Sequence, residues 1–113
     1  LVSSPAKRAL TTAQIFAEHF RIPVRDIQTD SRIYDALPLT LLGVINGWSD
    51  ANDRVALFGH NPGLTLLVNY LTDAGLAELP TCAVVHIRFD GTPDWASVSR
   101  GTGELAWYAE PAK

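Results

Sequence analysis

The chain has 113 residues, 47% of them apolar and 19% charged, with a formal net charge of -3 at pH 7. That length allows one globular domain burying a little over ~60% of its extended surface, and the mild negative balance argues against a nucleic-acid or polyanion binder. A single cysteine, Cys82, excludes an internal disulfide and makes a reducing cytoplasm the expected compartment, and no apolar run approaches the roughly 18 residues of a membrane span.

Leu1, Val2 and Ser3 read as the end of a strand, because Ser4-Pro5 at once supplies a helix N-cap and a first-turn proline. The chain opens on Leu1 and contains no methionine, so it is expected to be a piece or a processed form of something longer. A helix to about Phe20 follows, with Ala9, Ala13, Phe16, Ala17 and Phe20 as its buried face. Lys7 and Arg8 fall in its first turn, where the helix dipole favours acids. Either both side chains reach into solvent or they hold an anion.

Pro23 marks a loop before a short extended stretch near Ile27 to Thr29. A second helix is expected from Pro38, with Leu37, Leu41, Leu42, Val44 and Ile45 apolar, ending in a polar loop from Gly47 to Asp53. Val55 to Phe58 is an unbroken apolar run, which suits a strand covered on both faces. Gly59, His60 and Asn61 break it; Asn61 can cap a third helix, Pro62 fits its first turn, and Leu64, Leu67, Val68 and Leu71 share one face. Asp73-Ala-Gly75 closes that helix.

After Leu79-Pro80 the period becomes two, with Ala83, Val85, Ile87 and Phe89 facing one way and Val84, His86 and Arg88 the other. Asp90 to Asp94 reads as a turn and Trp95 to Val98 as the return strand of a hairpin, before a turn at Gly101-Thr-Gly103 and a short tail with Trp107 and Tyr108. The alternation predicts a mostly parallel sheet flanked by helices, with an antiparallel edge hairpin.

Two strand-to-helix junctions are built alike, Ser-Ser-Pro-Ala-Lys-Arg after the first strand and Gly-His-Asn-Pro-Gly after the third. In a parallel sheet both open on one edge, which brings Arg8 and His60 to helix amino termini around a single crevice. An anion fits there, phosphate above all: arginine offers a fork for two phosphate oxygens, and histidine donates beside it. His19, ending a helix, and His86, on the polar face of a strand, read as surface residues. Three scattered histidines without carboxylate or thiol neighbours at ligand spacing make a poor metal site. Ser3 and Ser4 lack the elbow of a serine hydrolase, and Gly59 to Gly63 complete no nucleotide-binding loop.

Ser3-Ser-Pro-Ala-Lys-Arg-Ala-Leu-Thr-Thr-Ala13 with Leu57-Phe-Gly-His-Asn-Pro-Gly-Leu64 resembles the histidine phosphatase superfamily, specifically its SixA-type phosphohistidine phosphatases. Tyr34-Asp-Ala before a leucine-rich helix and Leu79-Pro-Thr-Cys-Ala-Val-Val before a strand agree, so the resemblance spans the whole chain. It implies a phosphoglycerate mutase-like, three-layer α/β/α domain, with Arg8 as the second phosphate-clamping arginine and His60 as the second histidine, stabilising the transferring phosphoryl group. Asn61 joins them as a phosphate-binding residue. The implied substrate is phosphohistidine in a protein, such as a histidine phosphotransfer domain, or a small phosphomonoester; no cofactor is implied.

The family nucleophile is a histidine in an Arg-His-Gly motif that ends the first strand of the fold, and no Arg-His pair exists here. The resemblance therefore implies a missing strand-helix unit of roughly 30 or more residues, without which these 113 residues bind phosphate but are inactive. The alternative is a phosphate- or phosphoprotein-binding module that has lost its nucleophile. Asp30 and Asp35 are the nearest candidates for a proton donor, a role that stays unassigned.

Overall fold

In the computed structural model, which describes residues 1–80 and 83–109, the opening residues of the chain become the middle of a sheet. β1 (Val2–Ser3) pairs in parallel with β2 (Gln28–Thr29) on one side and β3 (Leu57–Phe58) on the other, giving the order β2-β1-β3. Val2 and Ser4 N–H donate to the carbonyls of Ala56 and Phe58, both at 2.9 Å, while Gln28 and Asp30 N–H donate to Leu1 and Ser3 at 2.9 and 3.0 Å. Parallel neighbours need long crossovers. α1 (Lys7–His19) lies between β1 and β2, α2 (Pro38–Asn46) lies between β2 and β3, and α3 (Gly63–Thr72) follows β3. The chain thus steps from β1 to one side and then crosses to the other, which leaves a crevice at the carboxyl ends of β1 and β3. The three expected parallel strands all form, each trimmed, and β3 is half-buried instead of covered on both faces.

α1 packs against β1 and β3 through Ala9, Ala13 and Ala17, all buried. Phe16 is half-buried, its ring edge-to-face with Phe58 at 5.3 Å. Phe20 departs from the expected buried face and is 56% exposed, because it sits at the helix C-cap, where the helical repeat has ended. The helix also begins later than Ser4-Pro5 implies: Ala6 takes the N-cap position with extended backbone, and Ser4 Oγ accepts its N–H at 3.2 Å. α2 begins at Pro38 as expected, with proline in the first turn.

Leu41, Val44 and Ile45 of α2 meet Leu67 and Leu71 of α3 around Ile33, Val2 and Val98, and each such side chain contributes about 1.5–3 kcal/mol on burial. Gly63 opens α3 at the tightest point of this packing: a Cβ there would collide with the carbonyl oxygen of Ala36 and touch Leu41. Asn61, expected as the N-cap, lies one residue outside that position, which Pro62 fills. Its side-chain oxygen instead accepts from Thr65 N–H at 3.3 Å and Thr65 Oγ1 at 2.9 Å. Asp73 closes α3 in the left-handed region, φ 58°.

β4 (Val84–Arg88) pairs antiparallel with β5 (Glu104–Ala109), with an irregularity between His86 and Ile87. Among the described residues this pair is a two-stranded sheet of its own, not an edge of the parallel one. The return strand is also not Trp95–Val98. Those residues turn instead, as a 3₁₀ segment Trp95–Ser97 capped by Asp94, whose carboxylate accepts from Ser97 N–H at 2.9 Å. Side chains from elsewhere pin the turn: Asn46 Nδ2 donates to the carbonyls of Trp95 and Val98 at 2.8 and 2.9 Å, and Asp50 accepts the N–H of Trp95. Trp95 then packs edge-on to Trp48 and Phe89. Thr81 and Cys82, in the stretch leading to β4, lie outside the described residues. No helix among those described is long and apolar enough to cross a membrane.

Gly63→Ala should lower folding stability by about 1–3 kcal/mol, the usual range for overpacking, since a backbone oxygen cannot swing aside. Urea unfolding checks this, and an unchanged midpoint would show that α3 can back away from Ala36 freely.

Candidate functional site

The connections that leave β1, β2 and β3 meet in one cleft of about 400 Å³, lined by Ala6, Lys7, Arg8, Tyr34, Asp35, His60 and Asn61. The three site residues expected from sequence, Arg8, His60 and Asn61, are thus brought together. His19 and His86 are exposed, and neither lines the cleft.

α1 supplies the positive end. Its first turn carries no acid and two cations, Lys7 and Arg8, neither of which makes an ion pair among the described residues. Leu10 N–H makes the first i-to-i−4 bond, to the Ala6 carbonyl, so the N–H groups of Lys7, Arg8 and Ala9 have no such acceptor. Cations beside a helix amino end oppose its dipole by about 0.3–1 kcal/mol each unless an anion joins them. The sequence-level expectation that α3 presents a matching end is corrected by its hydrogen bonds: Leu64 N–H is bonded to the His60 carbonyl and Thr65 N–H to Asn61. α3 instead fixes geometry. Asn61 Nδ2 donates to the Leu79 carbonyl at 2.6 Å, and Thr65 Oγ1 accepts from Leu79 N–H at 3.0 Å, so the side chain of Asn61 is bound into the scaffold.

Ser4, set aside as a nucleophile from sequence, proves central in another way. It is fully buried, and its hydroxyl has two partners among the described residues, Ala6 N–H and His60 Nε2 at 2.8 Å. The amide can only donate, so the oxygen accepts it. Giving the buried hydroxyl proton a partner as well requires that it go to Nε2, since an Nε2–H would take the second lone pair and leave that proton unpaired. Nε2 is then an acceptor, and the proton of the ring lies on Nδ1. Tyr34 packs against the same ring in a T-shaped contact, centroids 5.5 Å apart.

The two aspartates near β2 differ. Asp30 accepts from Arg32 Nε at 3.0 Å and Nη2 at 2.6 Å, and also from the Arg32 backbone N–H, capping the turn Ser31–Ile33. The hydrogen bonds from the Arg32 side chain, against partial burial and aided by the backbone donor, hold the Asp30 carboxyl below the usual carboxylate range. Asp35 lines the cleft with φ 48°, in the left-handed region. Among the described residues no group of three His, Cys, Asp or Glu side chains converges to hold a metal ion.

Ser4→Ala removes the acceptor for Ala6 N–H and the donor to Nε2 together. We expect a loss of about 1–3 kcal/mol in unfolding free energy and a mixture of His60 tautomers by ring-nitrogen NMR; a ring that keeps its proton on Nδ1 without Ser4 would refute the assignment. For Asp30, a depressed carboxyl contributes stability above its ordinary pKa of about 3.9, lost as pH falls through its lower folded value. The stability gap between the unaltered chain and Asp30→Asn should therefore be open at pH 7 and narrow below about pH 4. A gap independent of pH would mean that the charge of Asp30 is unimportant.

Comparison of the chain with family models, with curated proteins and with solved structures finds no match.

Proposed function

We propose that this chain is the phosphate-holding part of a SixA-type phosphohistidine phosphatase, built on the three-layer α/β/α plan of the phosphoglycerate mutase-like fold and working in the cytoplasm. One observation carries the reading: Lys7, Arg8, the open amino end of α1 and His60, held through Nε2 by Ser4, share a cleft at the point where the strand order reverses. Such a place gathers donors and positive charge with few competing groups, and a cleft of about 400 Å³ is of ligand size.

In this reading the phosphoryl group lies at the start of α1. Arg8 forks onto two of its oxygens and His60 Nδ1–H donates to the third. A histidine nucleophile outside these 113 residues, where no Arg-His pair occurs, takes the phosphoryl group onto a ring nitrogen as the bond to the substrate breaks. Water then releases phosphate, so one difficult transfer becomes two easier ones. Lys7, Arg8 and His60 offset charge on the equatorial oxygens in both steps. The substrate is phosphohistidine in a protein, such as a histidine phosphotransfer domain, or a small phosphomonoester, and no cofactor takes part.

A second reading, a phosphate- or phosphoprotein-binding module without turnover, draws on the fact that His60 is the one histidine of the cleft and is already committed through Nε2 to Ser4. Calorimetric titration with phosphate or tungstate serves both: binding should saturate and weaken about tenfold in Arg8→Ala, the lower end for a charge-assisted pair because Arg8 is exposed. Binding indifferent to Arg8 would sink both readings. Hydrolysis of a phosphohistidine peptide by a chain that includes the nucleophile segment separates them.

A further inference from the structure

A carboxylate is out of place where phosphate is to be held, because it repels the ligand. Asp35 nevertheless lines the cleft with Lys7, Arg8, Tyr34 and His60, the other titratable groups there. Among the described residues it makes no hydrogen bond or ion pair, so neither cation neutralises it. Its place is set from both sides: Tyr34 before it packs on His60, and the carbonyl of Ala36 after it is pressed against Gly63. Asp30, by contrast, is bound to Arg32 and lines no part of the cleft.

We propose that Asp35 is a specificity-determining residue, making the cleft prefer phosphate carried on a nitrogen, as in a phosphorylated imidazole, over a phosphate ester of an alcohol. This rests on the phosphate-site reading above. A phosphorylated imidazole can carry a proton on its second ring nitrogen, and the Asp35 carboxylate accepts that N–H and stabilises the cationic ring. An alcohol ester has no such proton and meets only the repulsion. The same contact serves transfer. As phosphorus bonds to the attacking nitrogen, its bond to the substrate ring breaks, the electron pair stays on that ring nitrogen, and the ring leaves neutral with its proton already on the other nitrogen. No acid has to deliver a proton to that leaving group, so a carboxylate that accepts a hydrogen bond suits it, whereas a departing alkoxide would need a proton donor.

The test compares two peptides of one sequence, carrying phosphohistidine or phosphoserine, by fluorescence anisotropy at low salt. The unaltered chain should favour phosphohistidine about three- to fivefold, the upper range for a solvent-exposed ion pair. Asp35→Asn should abolish the preference and leave phosphoserine binding equal or tighter; asparagine tolerates the left-handed backbone, so the fold is kept. Equal binding of both peptides by the unaltered chain, or a preference that survives Asp35→Asn, overturns the inference. Weakening of both peptides by Arg8→Ala keeps the phosphate reading standing in that case, and absence of Arg8-dependent binding of either peptide overturns both.

Discussion

The hydrogen bond between Ser4 Oγ and His60 Nε2 is the contact on which the cleft depends. Strands of two residues make short ladders, and a short ladder fixes the relative placement of its ends poorly. This bond joins the segments just past β1 and β3, its Ser4 end fully buried and its His60 end at the wall of the cleft. On one side the same hydroxyl takes the N–H of Ala6 and so sets where α1 begins. On the other it holds Nε2 and so orients the imidazole. A single serine thereby relates the charge at the start of α1 to the donor at the end of β3.

The two helices that flank the cleft divide the work. α1 brings charge and unsatisfied donors, held by small residues, Ala9, Ala13 and Ala17, that let it lie close on the sheet. α3 has its Leu64 and Thr65 N–H groups occupied by the turn before it, and Asn61, Thr65 and the Leu79 backbone form a closed set of hydrogen bonds at its base. A rigid support beside a charged rim holds a geometry that a pair of open helix ends would not.

Periodicity made the parallel strands, the three helices and their order legible, because each depends on residues within one or two turns of one another. The junctions after β1 and β3 were legible for the same reason, and with them Arg8 and His60. Trp95–Val98 misled because its fate depends on Asn46 and Asp50, roughly half a chain away in sequence, whose side chains satisfy the backbone that a ladder would otherwise take. Ser4 was read as a cap and a failed nucleophile; its partner lies 56 positions further on. The register of Ser3 with Phe58 sets Ser4 level with Gly59, and His60 reaches it from one position further on, a placement that no short-range pattern reports. Asp35 had no signal beyond order along the chain, since its place comes from the packing of Tyr34 and Ala36.

The register that places Ser3 beside Phe58 also governs how the domain comes into being. Closing a loop of about 55 residues costs ~3.5 kcal/mol of chain entropy before the two-residue pairing returns anything. Helical segments can flicker early, but β1 gains its partner on this side only when β3 has arrived, and topologies dominated by such distant pairings fold slowly. The cleft is therefore complete only once β3 is in place. Its serine and histidine meet only when both strands are in place, so the geometry of the cleft draws on the stability of the whole domain, not of a local loop.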